Sequence, residues 1–317
     1  MKIVILDGYA MNPGDLSWNQ LKTLGDIQLY DRTPIPKVAD RIKDAEIVLT
    51  NKAVVHADAI QEAVNLKYVG VMATGINVVD VEAAKEKGIT VTNIPAYSTD
   101  SVAQLTFSLI LEFANHVQAH AESVAQGNWV KSEDFSYLVA PQIELKGKTL
   151  ALIGFGKIGQ AVARIGLAFG MKVISSHHHP KRDATEGVTF VEEKRCFREA
   201  DFLSLHCPLN EDNKGFVNKE RLNLMKSSGF IINTARGPLI NEADLAETLN
   251  EEKISGAALD VLSTEPPSED NPLLKAKNCK ITPHIAWSTL EARTRLMSTV
   301  VDNIKHWQEG TAINVVG

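Results

Sequence analysis

Cysteine is scarce in this chain, with three residues, Cys196, Cys207 and Cys279, among 317. Odd in number and without C-x-x-C spacing, they exclude a zinc or redox-pair motif and are expected to be reduced and structural. Long apolar runs are missing too. None nears the ~20 residues of a membrane span, and the start, MKIVILDG, meets Asp7 too soon for a secretory core, so a cytoplasmic protein is expected. Blocks of one charge are also missing: 33 Lys and Arg against 39 Asp and Glu, net −6, are dispersed along the chain. That excludes a basic face for nucleic acid or an anionic membrane. There is no short-period repeat and no low-complexity stretch. Small solutes remain the expected ligands.

What is present is an ordinary globular composition, 44% hydrophobic and 23% charged, in a length sufficient for two domains with separate cores. Short β-rich runs (KIVIL, IQLY, IVLT, YVGV, TVT) alternate over the first hundred residues with helix-prone segments such as KVADRIKDA and VEAAKEKG. A second series follows: TLALI, KVISS, VTF, FLSL, FIIN, GAALD and KIT. The alternation predicts an α/β chain with parallel sheets flanked by helices. Between the two series, STDSVAQLTFSLILEFANHVQAHAESVAQG opens with cap-type Ser98 and Thr99, closes at Gly127, and predicts one long helix over 99–126. Its apolar residues cover more than one face, which a twofold partner would help to bury. A final helix, from about Thr289 to Glu309, carries one apolar stripe and ends at Gly310.

TLALIGFGKIG sets Gly154, Gly156 and Gly159 in G-x-G-x-x-G between a strand and a helix. The first glycine permits the tight turn, the second admits a pyrophosphate to the backbone, and the third lets helix and strand pack closely. The amides of Gly156, Lys157 and Ile158 then face phosphates at the positive end of a helix. NAD(H) or NADP(H) is the expected cofactor. The next strand runs into SSHHHPKR, where an acidic residue normally meets the adenosine ribose. His177 holds that place, and Asp183, beyond Pro180, reads as out of register. Three readings of the histidines stay open. A metal site would need further ligands, and no Cys, Asp or Glu stands at short spacing. A plain exposed loop needs no function. In a cofactor selector, the lost carboxylate and the donors His178, Lys181 and Arg182 tip the choice toward NADP(H).

Ligands of open parallel sheets bind beyond the carboxyl ends of the strands, and three reactive residues fall there in succession: Arg236 in FIINTARG, Glu265 in GAALDVLSTEPP and His284 in KITPHIAW. An arginine fork can clamp a carboxylate and polarise a neighbouring carbonyl. A histidine can give or take a proton near neutrality, and an adjacent carboxylate favours its charged form. Beside a nicotinamide, the group reads as hydride transfer to a 2-keto acid, with His284 protonating the forming alkoxide. Taken singly, each has a structural reading as well: a surface ion pair, a solvated loop carboxylate, a satisfied core imidazole. Asp260, also at a strand end, could accept from a cofactor carboxamide or secure a turn.

GFGKIG, LHCPL at 205–209, INTARG, ALDV with Glu265 following, and TPHIAW together resemble the D-2-hydroxyacid dehydrogenase family over essentially the whole chain. The resemblance implies that Arg236, Glu265 and His284 are catalytic, with Glu265 paired to His284. It also implies cofactor contacts from Gly156, Lys157, Ile158, Cys207, Pro208, Thr234, Ala235, Arg236, Asp260 and His284. The implied fold is two Rossmann-like, flavodoxin-like doubly wound parallel-sheet domains, 1–98 plus 286–317 for substrate and 99–285 for cofactor, with the active-site cleft between them. In VMATGIN the amides of Ala73, Thr74 and Gly75 would hold the substrate carboxylate opposite Arg236, with His284 also touching substrate. The family is commonly dimeric through the long helix. Within it, the ATG and HIAW details are similar to glycerate dehydrogenases, also called hydroxypyruvate reductases. Glu265 argues against formate dehydrogenase, and the lack of a C-terminal extension argues against the long phosphoglycerate dehydrogenases. The competing expectation is a dinucleotide-sensing binding protein of corepressor type on the same fold, for whose long tails the seven residues after Gly310 leave no room.

Overall fold

Every β-rich run named above becomes a strand, and those apolar along their whole length are buried on both faces, as parallel strands between helical layers must be. The computed structural model describes all residues, Met1–Gly317. They divide into two units, Met1–Ser98 with Ser288–Gly317, and Thr99–Trp287. In the first, β1 (Lys2–Ile5), β2 (Asp26–Leu29), β3 (Ile47–Thr50), β4 (Tyr68–Val71) and β5 (Thr90–Thr92) form a parallel sheet in the order β2-β1-β3-β4-β5. In the second, β6 (Thr149–Ile153), β7 (Lys172–Ser176), β8 (Val188–Phe190), β9 (Phe202–Leu205), β10 (Phe230–Asn233), β11 (Gly256–Leu259) and β12 (Cys279–Ile281) form a parallel sheet in the order β12-β11-β10-β9-β6-β7-β8. Both sheets are doubly wound, and each has a point where the winding reverses: between β1 and β3, and between β6 and β9. Such reversals splay the loops apart and open a crevice at the strand ends.

The six longest helices are α1 (Thr99–Asn115), α2 (Val117–Ala125), α3 (Lys157–Ala168), α4 (Glu193–Glu199), α5 (Glu242–Asn250) and α6 (Leu290–Gln308). The helix expected over 99–126 is therefore two. His116 between them is left-handed, with φ 49°, and the Ala114 carbonyl accepts from the Ile143 amide at 2.8 Å instead of continuing the ladder. Histidine tolerates this conformation better than most side chains, so nothing in the local sequence announced the break.

The final helix α6 forms near its expected bounds, with Thr289 Oγ1 accepting from the Ala292 amide at its start. Its stripe of Leu296, Met297, Val300, Val301 and Ile304 is buried, and the Trp307 ring packs tilted against Tyr68 of β4, centroids 5.1 Å apart. Arg293 pins the helix by a two-pronged pair to Asp15, 2.7 Å on each arm. The boundary falls two residues later than the expected 286. Ala286 belongs with the second unit because its amide donates to Asp260 and its carbonyl accepts from Ser101 Oγ at the head of α1.

Candidate functional site

The three glycines after β6 carry three separate constraints. Gly154 is left-handed at φ +97°, and a Cβ there would stand 2.6 Å from the Cys207 amide nitrogen, because the backbone leaving β9 closes over it. A Cβ on Gly159 would stand 2.5 Å from the Gly154 carbonyl. Gly156 differs: a Cβ there would meet nothing within 4 Å. Its role is therefore to leave room for something outside the chain. Gly156 begins α3 without a side-chain cap, so the amides of Gly156, Lys157 and Ile158 have no partner in the protein, as the first turn of a helix leaves them. An open cradle of amides at a helix start, at the winding reversal of a parallel sheet, fits a dinucleotide pyrophosphate.

The opposite wall of this crevice is the exit of β9. His206 bonds through Nε2 to Ser204 Oγ at 2.9 Å, and the packing around it pushes its pKa down to about 3, so the ring is neutral. Burial raises the Cys207 thiol to about 11 and the other two cysteines to about 12. All three are unreactive thiols at neutral pH.

SSHHHPKR takes a shape that its spacing did not suggest. The Phe155 amide, inside the glycine loop, donates to His177 Nδ1 at 3.3 Å, which leaves the ring proton on Nε2, 2.7 Å from Asp183 Oδ2. Both nitrogens of His177 are thus used by the chain, and neither is free to meet a ribose. Asp183, expected out of register, is brought back to the strand end by the turn through Pro180. Its carboxylate also takes the Arg182 fork, Nε at 3.0 Å and Nη2 at 2.7 Å. Arg182 first, then His177, hold the Asp183 carboxyl down at about 2. The carboxylate that the sequence appeared to lack is present, and Arg182 is paired instead of standing free for a phosphate. His178 and Lys181 are exposed. No three His, Cys, Asp or Glu side chains gather into a set that could hold a metal ion.

At the remaining strand ends the backbone is held by residues that the sequence did not single out. Asn233, fully buried at the end of β10, folds the Arg236 loop onto itself: Oδ1 accepts from the Ala235 amide at 2.9 Å and Nδ2 donates to the Arg236 carbonyl at 2.9 Å. The Arg236 side chain is exposed, donates to the Ala235 carbonyl at 2.7 Å and forms no ion pair. Thr234 is buried against Thr106 of α1, 3.1 Å between hydroxyls. Gly237 has no room for a side chain, since a Cβ would stand 1.9 Å from the Leu262 carbonyl carbon. The Arg236 loop and the loop leading to Glu265 therefore touch backbone to backbone. Glu242 at the start of α5 completes the clamp, accepting from the Ser263 amide at 2.7 Å and Asn271 Nδ2 at 2.9 Å.

Glu265 and His284 meet as the resemblance implied, Oε2 to Nδ1 at 2.6 Å, while Oε1 accepts from the Leu262 amide at 3.1 Å. Both side chains are partly exposed. His284 stands on a left-handed residue, φ 53°, and Asp260 is what holds that turn. Asp260 is buried, its Oδ1 accepts from Thr282 Oγ1 and the Ile285 amide, and its Oδ2 from the Ala286 amide at 2.8 Å. Burial raises its pKa despite these donors. Its observed work is thus to secure the turn. A bond to a carboxamide would have to use whatever acceptor capacity these three leave. In the first unit, the carbonyls of Ala73 and Thr74 and the Thr74 hydroxyl are tied to residues 93 and 94, and the amides of Ala73, Thr74 and Gly75 have no partner in the chain.

A doubly wound sheet with an open glycine cradle, a paired carboxylate and imidazole, and an unpaired arginine at its strand ends defines a nicotinamide-dependent dehydrogenase. The family model for the NAD binding domain of D-isomer specific 2-hydroxyacid dehydrogenases matches residues 107–286. The chain is 47% identical to a hydroxypyruvate reductase of Blautia hydrogenotrophica over 100% of this chain and 99% of that one. Among solved structures, it is similar to D-lactate dehydrogenase from Aquifex aeolicus in complex with NAD and lactic acid, at TM-score 0.83, 31% identity and coverage of 98% and 96%. An acyclic imino acid reductase in complex with NADPH and D-Arg matches at TM-score 0.87 and 31% identity over the whole of both chains. This chain belongs to the D-2-hydroxyacid dehydrogenase family. No helix is long and apolar enough to cross a membrane.

Proposed function

We propose that the protein is a hydroxypyruvate or glyoxylate reductase, converting a small 2-keto acid to its D-2-hydroxy acid. The observation that carries this is the 2.6 Å bond between His284 Nδ1 and Glu265 Oε2, on the same sheet edge as the open glycine cradle. When bound along Gly154–Gly159, NADH or NADPH supplies the hydride to the keto carbon. His284 gives its proton to the carbonyl oxygen as the alkoxide forms, and Glu265 keeps the imidazole oriented through Nδ1. Arg236, unpaired in the chain, takes the substrate carboxylate and polarises the carbonyl. In the first unit, the unpartnered amides of Ala73, Thr74 and Gly75 are donors suited to a carboxylate. Cys207, Pro208, Thr234 and Ala235 line the cofactor, and Asp260 holds the turn from which His284 projects.

The case for NADP(H) preference rested on a missing carboxylate, and Asp183 supplies one. With that carboxylate beside Arg182, Lys181 and His178, both reduced cofactors are expected to serve. The reductant and a small keto acid point to the cytoplasm. The arm after α2 carries Trp129, Val130, Phe135, Leu138 and Val139, all exposed. A second copy of the chain covers them, giving a homodimer.

Loss of reduced nicotinamide absorbance is the measurement, with a panel of 2-keto acids against NADH and NADPH. Hydroxypyruvate and glyoxylate are expected to lead, and a panel with no turnover would overturn the proposal.

A further inference from the structure

Resting on the reading that a nicotinamide dinucleotide lies along the glycine loop, we infer that Asp183, not a residue at the end of β7, selects between the two dinucleotides, with Arg182 as its opposing partner. His177 occupies the usual position of the selecting carboxylate, but it is a mount and not a ligand. One ring nitrogen is bonded to the glycine-loop amide of Phe155 and the other to Asp183. The ring packs against the Phe155–Phe190 pair, with centroids 6.3 and 6.4 Å away, the two phenyl rings standing 5.1 Å from each other. The imidazole thus carries a carboxylate outward by one ring width from the strand end.

The loop fixes that carboxylate. The Asp183 amide donates to the His179 carbonyl at 3.2 Å, and Thr185 Oγ1 donates to the Asp183 carbonyl at 3.1 Å. Only 15% of the Asp183 side chain is exposed, against 68% for Arg182. The anion is therefore held and the cation is free to leave. A ribose 2′-hydroxyl can donate to Asp183 with Arg182 in place. A 2′-phosphate has no proton to offer, is repelled by the carboxylate, and is tolerated when the guanidinium swings from Asp183 onto it. The two residues thus act with opposite sign on one choice.

The test is equilibrium titration of NADH and NADPH, followed by nicotinamide fluorescence without substrate, on the unsubstituted chain, Asp183→Asn and Arg182→Gln. Asp183→Asn is expected to raise the ratio of NADPH to NADH affinity by about tenfold or more, since a close like charge is removed and the fork is released. Arg182→Gln, at an exposed side chain that the fold does not need, is expected to lower the same ratio. Asp183→Asn weakening both dinucleotides by one factor, or Arg182→Gln leaving the ratio in place, would overturn the assignment while leaving the proposed reaction intact. An unsubstituted chain that binds neither dinucleotide would overturn both.

Discussion

In the first unit, the crevice where the winding reverses is closed by the chain itself. Asp7, buried just past β1, accepts from the amides of Asn51 at 2.8 Å and Ala53 at 2.9 Å, and from that of Lys52 between them. Asn51 in turn donates to the Met72 carbonyl at 2.6 Å. In the second unit, the corresponding crevice leaves the amides of Gly156, Lys157 and Ile158 without partners and keeps clear the space above Gly156. The same topology therefore yields an internal carboxylate at one reversal and a cradle for a ligand's phosphates at the other. Winding makes the crevice, and one acidic side chain or one glycine decides whether it is a site.

The largest effect should come from the reacting end of the open crevice. Replacing His284 by Ala removes the proton donor and spares the glycine cradle. The turnover number for hydroxypyruvate is expected to fall by about 10²- to 10⁴-fold, with dinucleotide affinity in titration nearly unchanged. Retained turnover would show that another group donates the proton.

Next in size is a substitution that makes the open crevice resemble the filled one. Gly156 sits at φ −70°, which valine accepts, and the chain offers its side chain no clash. Gly156→Val should fold normally, with an unchanged melting temperature, yet lose about a hundredfold in dinucleotide affinity, because the branched side chain lies where the pyrophosphate must come. Equal binding by the variant would mean that the cradle is not the cofactor site.

The converse substitution opens the filled crevice. Asp7→Ala leaves three amides at the end of β3 without their acceptor, and about 2–4 kcal/mol of the first unit's stability should go with it. Urea unfolding would read this, and dinucleotide binding to the second unit should not change. A variant as stable as the parent would mean that water satisfies those amides equally well.

These contrasts also mark what was legible in the sequence. The strands and both winding series followed from apolar runs between helix-prone segments, since a strand buried on two faces must be apolar at every position. The turn at Gly154 and the close packing at Gly159 followed too, because each imposes a local requirement. Asp183 was misread because a proline turn returns it to the strand end, a contact set by geometry and not by spacing. Asn233, Gly237 and Glu242 left no local trace, since their work is done against loops 21 to 29 residues away or by a buried amide closing its own turn. Asp7 read only as the end of an apolar run, although it fills the first unit's crevice.

The smallest expected effect concerns the hold that Glu265 keeps on His284. Glu265→Gln keeps an acceptor for the Leu262 amide, so the loop clamped by Gly237 and Glu242 should hold its shape. What is lost is the carboxylate that accepts from Nδ1 at 2.6 Å; an amide can turn either its oxygen or its NH2 to the ring and orients it less firmly. The turnover number for hydroxypyruvate is expected to fall by about tenfold, with dinucleotide affinity unchanged. Steady-state rates beside a dinucleotide titration would check this, and an unchanged turnover number would show that the imidazole keeps its place without the carboxylate.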